Sequence, residues 1–482
     1  MSLLYDILES WHDTEGSVST MEEIFEWIDY RTRNLTVRID KVPFPEASFG
    51  FGGGQTDASQ RGFWFYDEAD GYIRNRNNSF FQLAGYQELE EGRIVLEQPV
   101  ILQLEIGYLG IICRKINGVL NFLMQAKIEP GNVNSIQISP TIQATKSNFT
   151  RKHGGAAPAY LEYFERSHEY PIIVDQVQSE QSSRFYQKRN RNIMILVDEE
   201  IEVLPSHKWM TLGQIKELMK HDNIVNMDTR TVLSGISYSR DLLEEGELEK
   251  AEKLFTDKAL FRSMFGPEPD GTGGDRLLHR LFNRINDHKM FTETECRLVP
   301  LRDLQSWTCT PQEIACRTPY DFKIIYCNIE IEGREVRKWE QPLVEACGML
   351  LLAVFTRVRE GERQFLVRIR HEIGCFDTVE LSPAVQLEPT NPAWNRNAVE
   401  QLCIDRLERG EGILKDVILS EEGGRFYHEQ NRNVILEAGD AEILEEGQLP
   451  EDYYWVDYRT LCRMVQFNNY LNIQLRNLLS IL

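Results

Sequence analysis

A polar segment in the first third of the chain carries residue types that do acid–base chemistry. The segment 124-MQAKIEPGNVNSIQISPTIQATKSNFTRKHGG-155 interrupts an otherwise apolar region. It contains Lys127, Glu129 and His153, side chains that can donate or accept protons in an active site. Two glycines follow His153, and glycine lets the backbone approach a ligand closely. We therefore interpret this segment as the wall of a binding cleft.

The candidate acid–base residues also have structural interpretations. A neutral imidazole at His153 would act as a base near pH 7, or it would only hydrogen-bond a loop. Lys127 would take part in proton transfer, or it would be a solvated strand residue paired with Glu129. The sequence leaves the role of His153 open and favours the structural role for Lys127.

The polar segment belongs to a unit that occurs twice in the chain. Residues 179-SEQSSRFYQKRNRN-192 and 420-SEEGGRFYHEQNRN-433 are identical at eight of fourteen positions. The agreement extends to both sides at offsets of 241 to 246, for example from Trp64 to Trp307. An agreement of this length indicates a duplicated fold rather than a shared motif.

The second unit differs from the first at one candidate residue. Arg370 and Glu372 correspond to Lys127 and Glu129, but Arg396 stands where the first unit has His153. If His153 is catalytic, only the first unit is active.

The order of the elements predicts an α+β fold for each unit, with strands first and helices last. Asn117-Gly118 predicts a tight hairpin between two strands, and Thr211 with Gln214 predicts a capping box at the start of a helix. We divide the chain into an N-terminal helical arm with a Gly-rich loop, a first repeat, a helical connector and a second repeat. These segments are residues 1–59, 60–238, 239–295 and 296–482.

The composition narrows the choice of partners and location. The formal net charge is −22, which argues against a nucleic acid or an anionic membrane as partner. No segment approaches the roughly 18 uninterrupted apolar residues of a membrane span, and the N-terminus lacks the basic region of a secretion signal. The nine cysteines form no CxxC pair, which favours reduced thiols and a cytoplasmic protein.

Several blocks together resemble a known family. LMQAKIEPGN, SPTIQATKSNFTRKHGG, QSEQSSRFYQKRNRN, WMTLGQI and VNMDTRTVLSG, with 332-EGREVRKWEQPL in the second repeat, are similar to the NDP-hexose 2,3-dehydratases of deoxysugar biosynthesis. The resemblance implies a tandem pair of Nudix-like domains, each a curved, mostly antiparallel sheet with C-terminal helices, in a homodimer. It also implies loss of water across C2 and C3 of dTDP-4-keto-6-deoxyglucose, with no organic cofactor and no metal.

Two features depart from the family pattern. Asn75, in 71-GYIRNRNNSFFQL, stands where a His is expected, and the Gly-rich 50-GFGGGQ is also unusual. Neither repeat contains the Glu-rich box of a Nudix hydrolase, which argues against metal-dependent pyrophosphate cleavage.

The reaction that the resemblance implies leads to a set of expected substrate contacts. Arg151, Arg184 and Arg425 are candidates for the diphosphate, although Arg184 and Arg425 would instead anchor a turn. Trp64 and Trp307 would stack on thymine or pack in the core. The small residues Ser182, Ser183, Gly423 and Gly424 would leave room for phosphates. The remaining predicted contacts are Ser139, Thr141, Gln143, Ser147, Asn148, Phe149, Thr150, Lys152, Gly154, Gly155, Arg370, Ser382 and Gln386.

Two other functions remain compatible with the sequence. A non-catalytic Nudix-like protein would bind the nucleotide-sugar without changing it, and the altered 71–83 segment keeps this alternative open. A nucleoside-diphosphate hydrolase would release dTMP in the presence of Mg²⁺, and the missing box argues against it.

Overall fold

The chain folds into four β-sheets with helices packed against them, which confirms the predicted α+β class. The structure is a computed structural model that describes residues 1–45, 64–150, 157–267, 273–332, 336–439 and 447–482. The helices within these ranges are α1 (Leu3–His12), α2 (Met21–Arg33), α3 (Lys146–Phe149), α4 (Leu161–Glu165), α5 (Leu212–Leu218), α6 (Met227–Ser234), α7 (Glu247–Leu254), α8 (Lys258–Phe265), α9 (Gly273–Phe291), α10 (Ala398–Arg409), α11 (Tyr458–Val465) and α12 (Ile473–Ser480). Among these helices, none is long and apolar enough to cross a membrane.

Two seven-stranded sheets have the same order of strands. Sheet I contains β6 (Gly107–Ile116), β7 (Val119–Ile128), β8 (Ile136–Ser139), β9 (Ile142–Ala144), β10 (Ile172–Ser179), β12 (Arg189–Leu196) and β13 (His207–Met210). Sheet II contains β19 (Leu350–Arg359), β20 (Glu362–His371), β21 (Val379–Pro383), β22 (Val385–Leu387), β23 (Ile413–Ser420), β25 (Gln430–Glu437) and β26 (Tyr453–Asp457). Both sheets are mixed, because β12 runs parallel to β6 and β25 runs parallel to β19.

Two six-stranded sheets complete the β structure. Sheet III contains β2 (Trp64–Asp67), β3 (Tyr72–Asn75), β4 (Gln82–Glu90), β5 (Arg93–Leu102), β11 (Phe185–Tyr186) and β14 (Glu295–Val299). Sheet IV contains β1 (Val37–Lys41), β15 (Trp307–Cys309), β16 (Glu313–Cys316), β17 (Phe322–Ile331), β18 (Lys338–Ala346) and β24 (Phe426–Tyr427). β11 joins β5 and β24 joins β18 as short parallel additions.

Local sequence signals explain several of these elements. Asn117 and Gly118 both have positive φ angles, 54° and 87°, at the predicted turn between β6 and β7, as a two-residue hairpin requires. The predicted capping box of α5 is present, with Thr211 accepting from the N–H of Gln214. α2 coincides with the predicted helix in the N-terminal segment.

The N-terminal segment is more than an arm, because α1 is part of the main core. Leu4 and Leu8 of α1 are buried in the largest apolar cluster, together with residues of both repeats. The Ser10 hydroxyl donates to the carbonyl of Leu120 in β7 and accepts from the N–H of Leu212. These contacts attach α1 to the hairpin that carries Lys127 and Glu129.

The two repeats are joined by reciprocal hydrogen bonds. Trp64 Nε1 donates to the carbonyl of Glu340, and Trp307 Nε1 donates to the carbonyl of Glu97. In the turn after β7, the N–H of Gly131 donates to the carbonyl of Gly423 in the other repeat. The two repeats are therefore joined through matching residues on both sides of the contact.

Candidate functional site

A cavity of about 530 Å³ lies where sheets I, III and IV meet. One side comes from β7, β9 and α6 of the first repeat, and the other side comes from β18 and the loop before β24 in the second repeat. A volume of several hundred cubic ångströms is typical of sites for small molecules and cofactors. Neither repeat forms this cavity alone.

Glu129 lines this cavity and has a buried carboxylate oxygen without a partner among the described residues. The residue directly follows β7 and its side chain is 4% exposed. Its Oε1 accepts a hydrogen bond of 3.1 Å from Gln143 Nε2 and lies 3.5 Å from Lys127 Nζ. Its buried Oε2 has no hydrogen-bond partner among the described residues. A buried carboxylate oxygen without a hydrogen-bond donor is unfavourable for folding, which makes Glu129 a candidate functional residue.

Lys127 and Gln143 are held in place by a polar network. Lys127 Nζ donates to the carbonyl of Gln143 at 3.2 Å. Gln143 Oε1 accepts from Ser139 Oγ and from Asn226 Nδ2, the N-cap residue of α6. The predicted contact Ser139 is therefore a buried support of Gln143, which in turn orients Glu129.

Thr141 also supports the cavity wall. Its hydroxyl donates to the carbonyl of Leu123 and accepts from the N–H of Ile112. Its carbonyl contacts Nε2 of the buried His207 at 3.1 Å. Burial lowers the pKa of His207 to about 4, so this imidazole is neutral at physiological pH and donates to Thr141.

Glu180 and Lys188 are two buried ionisable groups that line the same cavity. Glu180 Oε1 accepts from Asn190 Nδ2 at 2.7 Å, and Lys188 Nζ donates to the carbonyl of Glu105. Burial raises the pKa of Glu180, while burial and the charge of Arg425 lower the pKa of Lys188. Both groups can therefore exchange a proton closer to neutral pH than usual.

Asp228 adds a third buried carboxyl. It lies in the first turn of α6, lines the cavity and is 2% exposed. Burial, together with the nearby carboxylates of Glu180 and Glu422, raises the pKa of Asp228 well above its usual range. Asp228 is the group in this wall that is best suited to hold a proton.

Arg425 contributes a guanidinium group to the wall of the cavity. Its Nη1 donates to Glu422 Oε1 at 2.9 Å and its Nη2 donates to Gln103 Oε1 at 2.8 Å. The guanidinium carbon lies 4.6 Å from the centroid of the Phe80 ring, a distance typical of a cation–π contact. Its buried Nε has no hydrogen-bond partner among the described residues.

The segment of residues 71–83 determines how Phe80 contacts Arg425. Asn75, at the position where a His was expected, accepts from the N–H of Ser79 and donates to its carbonyl. The clamped turn leaves Phe80 with a φ of 77°, a conformation that a bulky residue rarely adopts. The turn that Asn75 holds is followed directly by Phe80, whose ring lies over Arg425.

The predicted tryptophans are both buried. Trp64 lines the cavity at 1% exposure, with its ring against Phe81, whereas Trp307 lies apart from it at 4% exposure. Trp339 is a further tryptophan of the cavity wall and is half-buried, with Nε1 donating to Gln341 Oε1. Its partial exposure leaves part of the indole facing the cavity.

A second cavity, of about 550 Å³, involves the corresponding residues of the second repeat. Arg370 and Gln386 line it, and Gln386 Nε2 donates to Glu372 at 3.1 Å, just as Gln143 donates to Glu129. The charges differ, because Glu429 and Gln474 replace Lys188 and Asp228. Glu388 lines this cavity, and Arg184 Nη2 lies 3.6 Å from the carboxylates of both Glu388 and Glu429.

The structure brings together some of the predicted site residues and separates others. Those at the first cavity are Trp64, Lys127, Glu129, Gln143, Ser147, Asn148, Gly424 and Arg425. Those that line neither cavity are Ser139, Thr141, Phe149, Thr150, Ser182, Ser183, Arg184, Trp307, Ser382 and Gly423. Arg151, Lys152, His153, Gly154 and Gly155 lie outside the described residues.

Several of the separated residues have visible structural roles. The carbonyl of Ser182 accepts from the N–H of Gly374, and that of Ser183 accepts from Gln98 Nε2. The hydroxyl of Ser382 donates to main-chain carbonyls, and that of Thr150 donates to the carbonyl of Lys146 within α3. Phe149 packs against Tyr108.

Sequence reasoning missed four buried ionisable residues at the first cavity: Glu180, Lys188, Asp228 and Glu422. Each of them stands inside a sequence block that the repeat or the resemblance had already singled out. Lys188 and Asp228 could have been identified from the sequence, because the second repeat has Glu429 and Gln474 at these positions and the charge therefore differs.

The cavity has the features of an enzyme that moves protons on a polar ligand: an unpartnered carboxylate, proton-holding acids and a guanidinium in an enclosed space. Within the described residues, no three His, Cys, Asp or Glu side chains group as a metal site would require.

Comparisons with known proteins agree with this class. The family model described as NDP-hexose 2,3-dehydratase matches residues 21–236 and 279–482. The chain belongs to this family. Proteins named dTDP-4-dehydro-6-deoxy-alpha-D-glucopyranose 2,3-dehydratase are similar over most of its length. The one from Saccharopolyspora spinosa is 37% identical over 94% of this chain and 89% of its own length. The one from Streptomyces violaceoruber is 36% identical over 86% and 90%, and the one from Amycolatopsis orientalis is 33% identical over 97% and 91%.

Proposed function

We propose that this chain removes water across C2 and C3 of dTDP-4-keto-6-deoxyglucose and that the reaction takes place in the first cavity. The names of the three relatives support the substrate. The observation that carries the proposal is the buried Glu129 Oε2, which lacks a hydrogen-bond partner among the described residues while Gln143 and Lys127 hold the other oxygen.

Glu129 acts as the base. The C4 ketone makes the hydrogen on C3 acidic, and a carboxylate of fixed orientation removes it as a proton. Lys127 lies beside Glu129 and stabilises the negative charge that then develops on the C4 oxygen. His153 remains a predicted second participant in proton transfer.

The elimination completes the reaction without a redox partner. The electron pair of the enolate restores the C4 carbonyl, a double bond forms between C2 and C3, and the C2–oxygen bond breaks. The C2 oxygen leaves as water once it has accepted a proton. The enol product then tautomerises to a 3,4-diketo-2,6-dideoxy sugar.

The nucleotide is held by the second repeat. Arg425 binds the diphosphate, because a guanidinium offers several donors to phosphate oxygens, and the half-buried Trp339 stacks on thymine. The equivalent Arg184 lies between two carboxylates and lines neither cavity, which favours the first cavity as the site of chemistry.

We also propose how the chain is divided into domains. Residues 60–238 and 296–482 form two Nudix-like domains that arose by duplication, 1–59 form an N-terminal extension and 239–295 form the connector. Support comes from the matching strand orders of sheets I and II. The chain assembles as a homodimer, which light scattering of the purified protein tests.

The function is tested by incubating the purified chain with dTDP-4-keto-6-deoxyglucose and following the products by mass spectrometry. We expect a sugar nucleotide lighter by one water, or its breakdown product maltol. Recovery of unchanged substrate would favour a binding protein, and release of dTMP that depends on added Mg²⁺ would favour a hydrolase.

A further inference from the structure

Asp228 is a carboxyl of the cavity wall whose position is fixed relative to Glu129. It is 2% exposed, and its buried Oδ2 has no hydrogen-bond partner among the described residues. It lies two residues after Asn226, which caps α6 and also hydrogen-bonds Gln143, the residue that donates to Glu129. A network of side chains therefore links the helix that carries Asp228 to the proposed base.

Helix stability alone does not account for an acid at this position. A carboxylate in the first turn interacts favourably with the helix dipole, but the corresponding helix α12 begins without one. In α12, Asn472 caps the helix by accepting from the N–H of Leu475 at 2.9 Å, as Asn226 accepts from Thr229. Gln474 takes the place of Asp228 there. Because α12 starts normally with a neutral residue at this position, the acid in α6 needs another explanation.

The surroundings of Asp228 favour its protonated form. Several charged groups act on Asp228. Lys127 lies in β7 and Glu129 directly follows it, Glu180 follows β10, Glu422 precedes β24, and Arg230 lies on the same helix as Asp228. Arg230 is bound to the carbonyls of Asn226 and Ser420. Burial and the carboxylates outweigh the cations, so the pKa of Asp228 is raised well above its usual range.

We propose that Asp228 is the general acid that protonates the C2 oxygen as it leaves, an inference that rests on the proposed dehydration. The proton moves from the Asp228 carboxyl to the C2 oxygen while the C2–oxygen bond breaks, and one water is formed. Asp228 is left as a carboxylate, and Glu129 holds the proton taken from C3. Proton exchange with solvent returns both groups to their starting states. Two carboxyls in one cavity thus divide the acid and base roles, as the surroundings of Asp228 favour its protonated form.

This assignment predicts that the two halves of the reaction can be separated. The full-length variant Asp228→Asn keeps the size of the side chain but has no proton to donate. In D₂O, we expect it to exchange the C3 hydrogen of dTDP-4-keto-6-deoxyglucose for deuterium at a rate near that of the wild type, as seen by proton NMR. We expect elimination of water to fall about 10²- to 10⁴-fold, with little change in KM.

A substrate with a better leaving group provides the matching control. The 2-deoxy-2-fluoro analogue loses fluoride, which leaves without the strong need for protonation that hydroxide has. Asp228→Asn should therefore eliminate fluoride at close to the wild-type rate. An unchanged rate of water loss in Asp228→Asn would overturn the assignment, as would the parallel loss of C3 exchange and of both eliminations in a folded variant.

The wild-type protein offers a test that does not depend on the folding of a variant. Water loss requires protonated Asp228 and should decline as the pH rises through its raised pKa, whereas fluoride loss should lack this decline. The same alkaline decline for both leaving groups would refute the role of Asp228. If the wild-type protein loses neither water nor fluoride from these substrates at any pH, the proposed dehydration itself has failed.

Discussion

The N–H of Gly131 donates a 2.7 Å hydrogen bond to the carbonyl of Gly423 and joins the two repeats beside the first cavity. Gly131 belongs to the turn after Glu129, and Gly423 belongs to the loop that carries Arg425. The carbonyl of Gly131 in turn accepts from the N–H of His428. This contact holds the proposed base of one repeat against the proposed phosphate ligand of the other.

Replacing Gly131 by Ala should destabilise the protein and reduce its activity. A Cβ at this position would lie 1.6 Å from the carbonyl oxygen of Phe426, and a backbone atom cannot move aside without disturbing the contact. We expect a loss of about 3 kcal/mol in the free energy of unfolding, measured by urea denaturation. Gly447→Ala is the control, because its Cβ would meet no atom within 4 Å. Equal stability of the two variants would show that this contact does not hold the repeats together.

Arg425 and Arg184 occupy equivalent positions in the repeated sequence, so they test which cavity binds the diphosphate. Arg425→Lys should raise KM about tenfold or more, since a lysine ammonium cannot reproduce the fork of donors. Arg184→Lys should leave KM nearly unchanged and lower thermal stability, because Arg184 is buried between Glu388 and Glu429. Steady-state kinetics and thermal melting separate the two effects, and a selective rise of KM in Arg184→Lys would reverse the assignment.

His207 should make stability depend on pH. Its pKa is lowered to about 4 by burial, whereas an exposed histidine has a pKa near 6.5. Its contribution is therefore complete above about pH 6.5 and is lost as the pH falls toward 4, because the unfolded chain binds the proton first. From pH 7 to pH 5, the wild type should lose about 2 kcal/mol more than His207→Gln, which carries no titratable ring. Urea denaturation of both proteins at the two pH values measures this difference, and parallel losses would contradict it.

Local rules were sufficient to predict much of the secondary structure. The hairpin at Asn117-Gly118 and the capping box at Thr211 depend on residues only a few positions apart, so the sequence determines them directly. Lys127, Glu129 and Gln143 were also predicted together, because they belong to one polar segment of the sequence.

Contacts between the repeats could not be read from the sequence. Arg184 and Arg425 stand in the same motif, yet they line different environments because each loop packs against the opposite repeat. Asp228 looks like an ordinary acid at the start of a helix, and only the folded chain shows that it is buried among carboxylates. The N-terminal 59 residues were predicted only as a helical arm, and the packing of α1 in the main core was not foreseen.

The most direct test of the account is the exchange of the C3 hydrogen of dTDP-4-keto-6-deoxyglucose in D₂O, followed by proton NMR, for the variants Glu129→Gln and Glu372→Gln. Both glutamates accept from a glutamine at 3.1 Å and stand at the same position of the repeat, so the two variants perturb their surroundings alike. We predict that Glu129→Gln slows exchange by about 10²- to 10⁴-fold and that Glu372→Gln exchanges at nearly the wild-type rate. Wild-type exchange in Glu129→Gln, or a comparable loss in Glu372→Gln, would contradict the assignment of the chemistry to the first cavity.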